Sequence, residues 1–343
     1  MNFSKKEPLV SIILPTYNRR DMLEYALLSA LNQTYKNIEI IIGDNCSQDD
    51  TENFCNEWQH KDNRIKYYRQ NRNIGPFANT DNLLSKISGE YFVFLNDDDW
   101  LDLDYVEQSL VFLEENPSYV FASPSTILYK DRYTREKKCY NPLLSQDVPV
   151  ERIKEFLKTY WDTDIVTGLF RTNVVRKMQE IDKYCFLARL PEDVIFMLKY
   201  LAFGKAHIIT TTHYNKLNNG ATRVLHDTPD NFYYTEGYIN KDILMKNFHF
   251  SCASNIVKAL KNDKIFHYYL TKNEIEEASK IIYQNIWLNI NEYKYKKIKK
   301  SLKVFIKRHP LFFTKKRFYW ILKKCKIAQK KCTDALKIYE KIK

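Results

Sequence analysis

Short apolar runs alternate with helix-spaced apolar positions through the first hundred residues. Four runs without polar alternation predict strands buried on both faces, namely Leu9–Leu14, Ile38–Ile42, Ile65–Tyr68 and Tyr91–Leu95. The intervening segments predict helices over Met22–Gln33, Asp49–Gln59 and Phe77–Ile87, with Asp49 or Asp50 as the N-cap of the second. Because each strand is followed by a helix, the pattern predicts a parallel α/β sheet.

The second half of the chain has a less regular pattern. Ile165–Phe170 and Ala206–Thr211 read as strands, and Pro191–Phe203 reads as a helix. From residue 231 onward the apolar spacing is helical. We therefore expect three regions: a catalytic or binding domain over residues 1–230, a helical extension over 231–290, and a tail over 291–343.

A polar segment follows each of the four early strands. These segments are Pro15–Asn18, Gly43–Ser47, Asn71–Pro76 and Asn96–Trp100. In parallel sheets ligands bind beyond the carboxyl ends of the strands. We therefore expect the four segments to cluster at one edge of the sheet and to form the functional site.

Three consecutive carboxylates, Asp97, Asp98 and Asp99, follow the fourth strand. Isolated acids of this kind are commonly solvated loop residues or helix caps. Here the buried lead-in Phe92–Leu95 and the exit residue Trp100 hold them at a fixed point. Carboxylate oxygens suit Mg²⁺ or Mn²⁺, which complete their shell with substrate phosphates. The cluster is therefore a candidate site for a metal-bound diphosphate.

The basic character of the chain belongs to its tail. The total net charge is +12, but residues 291–343 hold 19 Lys and Arg against 3 acids, a net of +16, which leaves −4 for residues 1–290. This division excludes a uniformly basic surface and a nucleic-acid groove in the body. Aromatic and aliphatic residues among the tail lysines predict basic amphipathic helices that bind an anionic membrane surface. The alternatives are a solvated helix packed on the body, or RNA binding, for which no recognised module is present.

The cysteines and the hydropathy of the chain narrow the class of protein and its expected location. The seven cysteines are odd in number and form no C-x-x-C pair, so neither a disulfide framework nor a zinc knuckle is indicated. The first apolar stretch is too short for a signal-peptide core, and no run of about 18 apolar residues occurs. We expect a cytoplasmic protein without a transmembrane helix.

Four motifs in order carry a resemblance to a known family. They are Val10–Asn18, Asp44–Thr51, the Asn73–Pro76 segment with Asn79 and Asp81, and Gly89–Trp100. Together they resemble the inverting glycosyltransferases of family 2, of the bacterial surface-polysaccharide type. The resemblance implies a GT-A fold, which is a Rossmann-like, mostly parallel sheet flanked by helices, followed here by a helical C-terminal region.

The resemblance also implies a set of site residues. Those expected to bind the nucleotide sugar are Pro15, Thr16, Tyr17, Asn18, Asp44, Asn73, Gly75, Asn79, Asn96 and Asp97. Asp44 would bind the base of a UDP-type donor, and Asp98 and Asp99 would hold Mn²⁺ or Mg²⁺. Asn96 stands where the usual D-x-D motif begins with an acid, so Asp98 is the main expected ligand. Asp97 and Asp99 would then serve the ribose, a second metal position or the neighbouring loop.

Leu190–Phe196 resembles the Glu-Asp motif of the family, whose aspartate is the catalytic base, here Asp193. Pro191 suits the first turn of a helix and would place Asp193 near the positive end of the helix dipole, which favours the ionised form that a base requires. The structural alternative is that Glu192 and Asp193 only satisfy the helix N-terminus.

Other family positions are less defined. Trp161, Asp162 and Asp164 would contact the acceptor or pack as loop residues. The usual Tyr-Arg-x-His pattern reads Tyr214–Leu217 here and lacks its Arg and His. His213 and His226 are nearby substitutes or ordinary surface histidines, and Arg223 or Lys216 could face the diphosphate.

The expected function is an inverting, metal-dependent glycosyltransferase at the inner face of a bacterial cytoplasmic membrane. It would move a sugar from a UDP-sugar to a hydroxyl of a glycan or lipid-linked saccharide in capsule, lipooligosaccharide or O-antigen synthesis. A nucleotidyltransferase of related fold would carry a glycine-rich phosphate loop after the first strand, and Pro15–Arg20 has no glycine. A non-catalytic carbohydrate-binding or scaffold protein is the other alternative, and the presence of both Asp98 and Asp193 argues against it.

Overall fold

Strands and helices alternate along residues 7–138, 142–159, 166–181, 192–217, 254–282 and 284, which the computed structural model describes. The strands are β1 (Val10–Thr16), β2 (Ile38–Asp44), β3 (Ile65–Arg69), β4 (Tyr91–Phe94), β5 (Trp100–Leu101), β6 (Tyr119–Tyr129), β7 (Arg135–Lys138), β8 (Leu169–Arg171) and β9 (Lys205–Leu217). The helices are α1 (Arg20–Leu31), α2 (Thr51–Lys61), α3 (Pro76–Leu84), α4 (Tyr105–Glu115), α5 (Pro149–Thr159), α6 (Thr172–Ile181) and α7 (Glu192–Phe203). Further helices cover residues 254–262, Lys264–Tyr269 and 272–282.

The four predicted strands form the parallel half of the sheet, in the order β3-β2-β1-β4. β1 pairs with β2 from Val10 opposite Ile38 to Thr16 opposite Asp44, and β4 pairs with the other side of β1. Parallel neighbours need a crossover connection, and α1, α2 and α3 supply one after each of the first three strands. The predicted parallel α/β sheet is confirmed.

The second half of the sheet is mixed. β8 is antiparallel to both β4 and β6, whereas β6 runs parallel to β9 and forms an antiparallel hairpin with β7. β5 closes the described order by pairing antiparallel with β9. The sequence pattern missed β6 because Ser123–Thr126 interrupts its apolar run, although the whole segment is buried.

Two strand boundaries differ from the predictions. β8 begins at Leu169, and the described residues before it, 166–168, lie outside the strand. At Gly168 the chain passes so close to β6 that an added Cβ would lie 2.9 Å from the carbonyl oxygen of Ala122. β9 continues past Thr211 to Leu217, because its later, more polar residues keep pairing with β6. The predicted helix after Pro191 is present as α7.

β1, β2 and β4 are largely buried on both faces, as their continuous apolar runs predict, whereas β3 at the end of the sheet is buried only at Ile65. Along β1, Ile12 and Leu14 pack into one core with α1, α2 and α4, whereas Ile13 packs into the other core with α5, α6 and α7. Successive side chains of a strand point to opposite faces, so each strand contributes to both layers. Helices therefore cover both faces and leave the sheet edges for the site.

The helices over 254–282 pack on the face that carries α7. Ile256, Leu260 and Phe266 are fully buried in the same apolar cluster as Leu198. Lys199 on α7 adds a 2.6 Å ion pair to Asp263. Within the described ranges no helix is long and apolar enough to cross a bilayer. The predicted boundaries near residues 230 and 291 lie outside the described residues and stay predictions.

Candidate active site

The carboxyl ends of β1, β2 and β4 bring the predicted polar segments together. Thr16 ends β1 opposite Asp44, and the backbone N–H of Asn45 donates to the carbonyl oxygen of Thr16 at 3.0 Å. Beyond β4, the N–H of Leu95 still bonds to the carbonyl oxygen of Ile13 at 2.9 Å. The chain after β4 therefore stays alongside β1 up to the carboxylate cluster. The predicted clustering of the polar segments at one edge of the sheet is observed.

Asp97 and Asp98 share one cation. Arg19 Nη1 lies 3.0 Å from Asp97 Oδ1 and 3.0 Å from Asp98 Oδ2, and all three side chains are at most 12% exposed. The hydroxyl of Thr16 donates to the other oxygen of Asp97 at 2.8 Å. Two carboxylates thus turn toward one point at the end of β1.

Asp99 is held by a different set of donors. Its Oδ2 accepts hydrogen bonds of 2.9 Å from both Asn96 Nδ2 and the Tyr214 hydroxyl. Its Oδ1 accepts from the backbone N–H of Leu217 at 3.0 Å. Asp99 therefore ties β9 to the loop after β4, and the geometry favours Asp97 over Asp99 as the partner of Asp98 in holding a metal.

Burial raises the pKa of two of the three acids. Burial raises the pKa of Asp97 to about 6, although Arg19 and Thr16 oppose the shift. Burial and the neighbouring charge of Asp98 raise the pKa of Asp99 to about 7, against the hydrogen bonds from its donors. A cluster that protonates near neutrality is short of positive charge, and additional cations would stabilise its ionised form.

The residues present fit a divalent metal that is completed by substrate. Asp97 and Asp98 direct two hard oxygen atoms toward one point, as Mg²⁺ and Mn²⁺ require. No group of three or more His, Cys, Asp and Glu side chains that could hold a metal occurs in the part of the chain that the structure describes. Asp97 and Asp98 would supply two ligands to such a metal, and substrate phosphates would supply others.

Asp44 lies beneath the β2 loop. It is fully buried; its Oδ2 accepts a 2.7 Å hydrogen bond from the Tyr67 hydroxyl, and its Oδ1 accepts a 2.8 Å bond from the N–H of Ser47. Arg69 adds an ion pair at 3.4 Å. The role that the structure gives Asp44 is to fix the loop, whereas the predicted contact with a donor base stays a prediction.

The loop before α3 contains a donor that lacks a partner. Asn73 Oδ1 accepts from Asn45 Nδ2 at 2.8 Å and from the N–H of Gly75 at 2.9 Å, which fixes the orientation of its amide. Its buried Nδ2 has no hydrogen-bond partner among the described residues. Gly75 has φ of 87° at the start of α3, a conformation that glycine adopts without strain. Asn79 is buried and donates to the carbonyl oxygen of Gly43 at 2.7 Å, so it supports the loop from below.

The remaining predicted residues of the β1 loop hold the backbone. Pro15 pairs with Gly43 inside the sheet, and Tyr17 is half-buried. Asn18 has a left-handed φ of 51°, and its side-chain oxygen accepts from the N–H of Gln48 at 2.6 Å. These contacts join the loops after β1 and β2. At the next loop Asp50 is the N-cap residue of α2, but the side chain that bonds its first turn belongs to Asp49.

Two cations were missed in the sequence. Arg19 directly follows the first motif, and this adjacency was the available signal. Arg132 lies in the turn between β6 and β7, with its guanidinium carbon 3.2 Å from the ring centroid of Tyr25 on α1. Burial lowers the pKa of Arg132, and the charge of Asp98 opposes this shift. No sequence spacing connects Arg132 to Tyr25, because the β6–β7 hairpin brings it to α1.

The other predicted residues either lie outside the described part of the chain or have a partner elsewhere. Asp193 is the second residue of α7, but its side chain lies outside the described residues, as do Trp161, Asp162, Asp164, Arg223 and His226. His213 is described, and its Nδ1 lies 2.9 Å from Asp102 Oδ2, which links β9 to the segment before α4. His213 therefore has a structural partner outside the carboxylate cluster.

Comparison with known proteins identifies relatives of this chain. Residues 11–184 match the family model described as glycosyl transferase family 2. The chain is 40% identical over 117 residues to the GalNAc(5)-diNAcBac-PP-undecaprenol beta-1,3-glucosyltransferase of Campylobacter jejuni, and this match covers 34% of this chain and 38% of that protein. It is 31% identical over 136 residues to the putative teichuronic acid biosynthesis glycosyltransferase TuaG of Bacillus subtilis, and this match covers 40% of this chain and 54% of TuaG. The matches thus span only part of these relatives.

A solved structure is similar over most of the chain. The crystal structure of S. aureus TarS 1–349 in complex with UDP superimposes with a TM-score of 0.52 at 17% identity, covering 84% of this chain and 91% of that one. At this identity the likeness concerns the fold. Together with the family match it confirms the predicted GT-A class of α/β fold.

Proposed function

Since the chain belongs to glycosyl transferase family 2, we propose that it transfers a sugar from a nucleotide-diphospho-sugar to a hydroxyl group of a glycan acceptor. In this proposal the enzyme is an inverting, metal-dependent hexosyltransferase with a UDP-sugar donor. The observation that carries the proposal is the buried pair Asp97 and Asp98, turned toward one cation at the carboxyl edge of the sheet. This is the edge at which α/β folds bind their ligands.

The choice of UDP is supported by the TarS structure, which contains UDP, and by an unsatisfied donor in this chain. The Nδ2 group of Asn73 is buried in the loop predicted to line the nucleotide. A buried donor without a partner costs free energy until an acceptor arrives. A carbonyl oxygen of a uracil base or a ribose hydroxyl would satisfy it.

The diphosphate would lie at the Asp97–Asp98 pair. These two carboxylates would hold Mn²⁺ or Mg²⁺, with phosphate oxygens completing the shell. When bound, such a cation neutralises charge that develops on the leaving diphosphate. Thr16 keeps one oxygen of Asp97 in place through its 2.8 Å hydrogen bond, so the pair is oriented before substrate arrives.

The base in this proposal is Asp193, in the first turn of α7. The positive end of the helix dipole favours its ionised form. The acceptor oxygen attacks the anomeric carbon, the bond from that carbon to the diphosphate breaks, and the hydroxyl proton passes to the Asp193 carboxylate. Attack opposite to the leaving group inverts the anomeric centre, so an α-linked donor gives a β-linked product.

We further propose that the acceptor is a lipid-linked bacterial surface glycan, as in capsule, lipooligosaccharide or O-antigen synthesis. Support comes from the undecaprenol-linked acceptor in the name of the C. jejuni relative and from the teichuronic acid role in the name of TuaG. The tail over 291–343, with its net charge of +16, suits the anionic inner face of a cytoplasmic membrane. The enzyme would then act there as a peripheral protein.

A screen of nucleotide sugars tests the activity. UDP-, GDP- and dTDP-sugars are compared by thermal shift and by hydrolysis, with and without Mn²⁺, for the wild type and Asp98→Asn. A UDP-sugar with Mn²⁺ should raise the melting temperature by about 4 °C at a ligand concentration of about 100 Kd. Asp98→Asn should lose the metal-dependent part of this shift. The proposal fails if no nucleotide sugar gives a metal-dependent shift in the wild type.

The membrane proposal has its own test. Deleting residues 291–343 should release the protein from liposomes that contain anionic lipid, while transfer to a soluble acceptor continues. Neutral liposomes are the control, because an electrostatic tail binds them weakly. Unchanged binding of the truncated protein to anionic liposomes would contradict the membrane role of the tail.

A further inference from the structure

Arg19 occupies a central position in the proposed site. A single nitrogen, Nη1, bonds both Asp97 and Asp98 at 3.0 Å, and the guanidinium is 12% exposed. Its backbone is fixed at the N-terminus of α1, because the carbonyl oxygen of Arg19 accepts hydrogen bonds from the N–H groups of Met22 and Leu23. Any movement of this cation is therefore a movement of the side chain.

That nitrogen lies where the two carboxylates converge. A divalent cation bound to the same two oxygens would need metal–oxygen distances of about 2.0–2.2 Å, which leaves no room for the guanidinium between them. The two cations would also repel each other at that separation. Arg19 and the metal therefore compete for one position.

We propose that Arg19 is an exchangeable internal cation of this site, which holds Asp97 and Asp98 in the donor-free enzyme, gives way to the metal and then binds the donor diphosphate. This inference rests on the proposed function. Without Arg19, the two buried neighbouring carboxylates would lose the cation that bridges them. The guanidinium keeps their oxygens oriented until the metal arrives.

The surrounding contacts distinguish this role from that of a structural ion pair. Asp99, the third acid, is bonded by Asn96, Tyr214 and the N–H of Leu217, whereas Arg19 Nη1 bonds Asp97 and Asp98. The cation is thus placed on the two acids that converge. Once displaced, a guanidinium can bind a phosphate with two parallel hydrogen bonds, so the diphosphate offers a replacement for the lost carboxylates.

Arg20 provides a matched control. It is the next residue, its side chain is 34% exposed, and it pairs with Asp21 and Glu24 at the surface. It also lies 4.6 Å from the ring centroid of Phe54. Replacing Arg20 removes the same charge from the same turn without touching the carboxylate cluster.

The experiment measures Mn²⁺ binding by electron paramagnetic resonance titration of the full chain at pH 8. The proteins are the wild type, Arg19→Gln, Arg19→Lys and Arg20→Gln, each with and without UDP. Without UDP, Arg19→Gln should bind Mn²⁺ about tenfold more tightly than the wild type, because no internal cation has to leave. UDP should then tighten Mn²⁺ binding less in Arg19→Gln than in the wild type, and Arg20→Gln should match the wild type in both measurements.

Equal or weaker Mn²⁺ binding by Arg19→Gln in a protein with wild-type circular dichroism would overturn the proposal. If Arg19→Gln does not fold, Arg19→Lys decides. Its shorter reach and single nitrogen weaken the bridge, so tighter Mn²⁺ binding than wild type supports exchange and unchanged binding contradicts it. The proposed function fails separately, through absence of sugar transfer by the wild type. Transfer without Mn²⁺ binding by any of the four proteins would overturn the Arg19 proposal and leave glycosyl transfer standing.

Discussion

The hydroxyl of Tyr214 donates a 2.9 Å hydrogen bond to Oδ2 of Asp99 across 115 residues of chain. The same hydroxyl accepts a bond of 3.1 Å from the backbone N–H of Asn96. Tyr214 is fully buried and Asp99 is 2% exposed, so the bond between them is made away from water. Tyr214 on β9 therefore fixes the loop after β4, which carries the three carboxylates.

Replacing Tyr214 by Phe should destabilise the protein by about 1–3 kcal/mol, because the buried Asp99 carboxylate and the backbone N–H of Asn96 each lose a partner. Urea unfolding of both proteins measures the change. Tyr133→Phe is the control, since Tyr133 is 90% exposed in the turn between β6 and β7 and should change the free energy of unfolding by less than about 0.5 kcal/mol. Equal stability of Tyr214→Phe and the wild type would mean that the two hydrogen bonds contribute nothing net.

The parallel half of the fold could be predicted because its signals are local. Each early strand is a continuous apolar run followed by a helix, and the polar segments after these runs meet at one edge by the geometry of the sheet. Asp97 and Asp98 were expected at this edge and lie there. The contact between Thr16 and Asp97 follows from the pairing of β1 with β4.

The partners of these acids could not be predicted, because they depend on contacts between distant parts of the chain. From the sequence we predict that Asp99 binds a metal. In the structure its carboxylate accepts hydrogen bonds from Tyr214 and Leu217 on β9. β9 itself was predicted too short, since its last residues are polar and are buried only through pairing with β6. Arg132 reaches Tyr25 on α1 through a hairpin that the pattern did not indicate.

Binding of Mn²⁺ with UDP should weaken as the pH falls from 8 to 6. The pKa of Asp99 is raised to about 7 and that of Asp97 to about 6, so both carboxyls take up protons in this range, and each proton removes a negative charge from the cluster. An ordinary aspartate, with a pKa near 3.9, would remain ionised throughout. Calorimetric titration at pH 8, 7 and 6 should give a loss of affinity of about tenfold. An affinity that stays flat to pH 6 would contradict the raised pKa values.

Asp81 on α3 should reduce stability above pH 6. Burial raises its pKa to about 6, against the charge of Lys199 on α7. The folded state therefore binds this proton more tightly than the unfolded state, and the stability that it contributes is full below about pH 4 and lost as the pH rises through 6. Because the Asp81 side chain is only half-buried, we expect a modest effect. The difference in free energy of unfolding between Asp81→Asn and the wild type should be more favourable to Asp81→Asn at pH 8 than at pH 4.5, by on the order of 1 kcal/mol.

Asp62→Asn is the control for Asp81. Arg64 lowers the pKa of Asp62, so this substitution should cost nearly the same stability at pH 8 and at pH 4.5, because both values lie above the range in which this carboxyl titrates. Urea unfolding of the three proteins at both pH values measures the two differences, and comparison with the wild type cancels the titration of the other acids. A pH-dependent difference for Asp81→Asn no larger than that for Asp62→Asn would contradict the assignment of a raised pKa to Asp81.

Asp193→Asn should leave donor binding near the wild-type value and lower the transfer rate by about 10²–10⁴-fold, because the amide cannot take the acceptor proton. Glu192→Gln is the matched control, since Glu192 and Asp193 are the first two residues of α7 and each substitution removes one negative charge from its first turn. Any cost to the helix is therefore shared, and the difference in transfer rate reports the chemistry alone. UDP binding by calorimetry and single-turnover transfer separate the two effects. Retained turnover by Asp193→Asn would remove this residue as the base, and an equal loss in both variants would assign the two acids to the helix N-terminus.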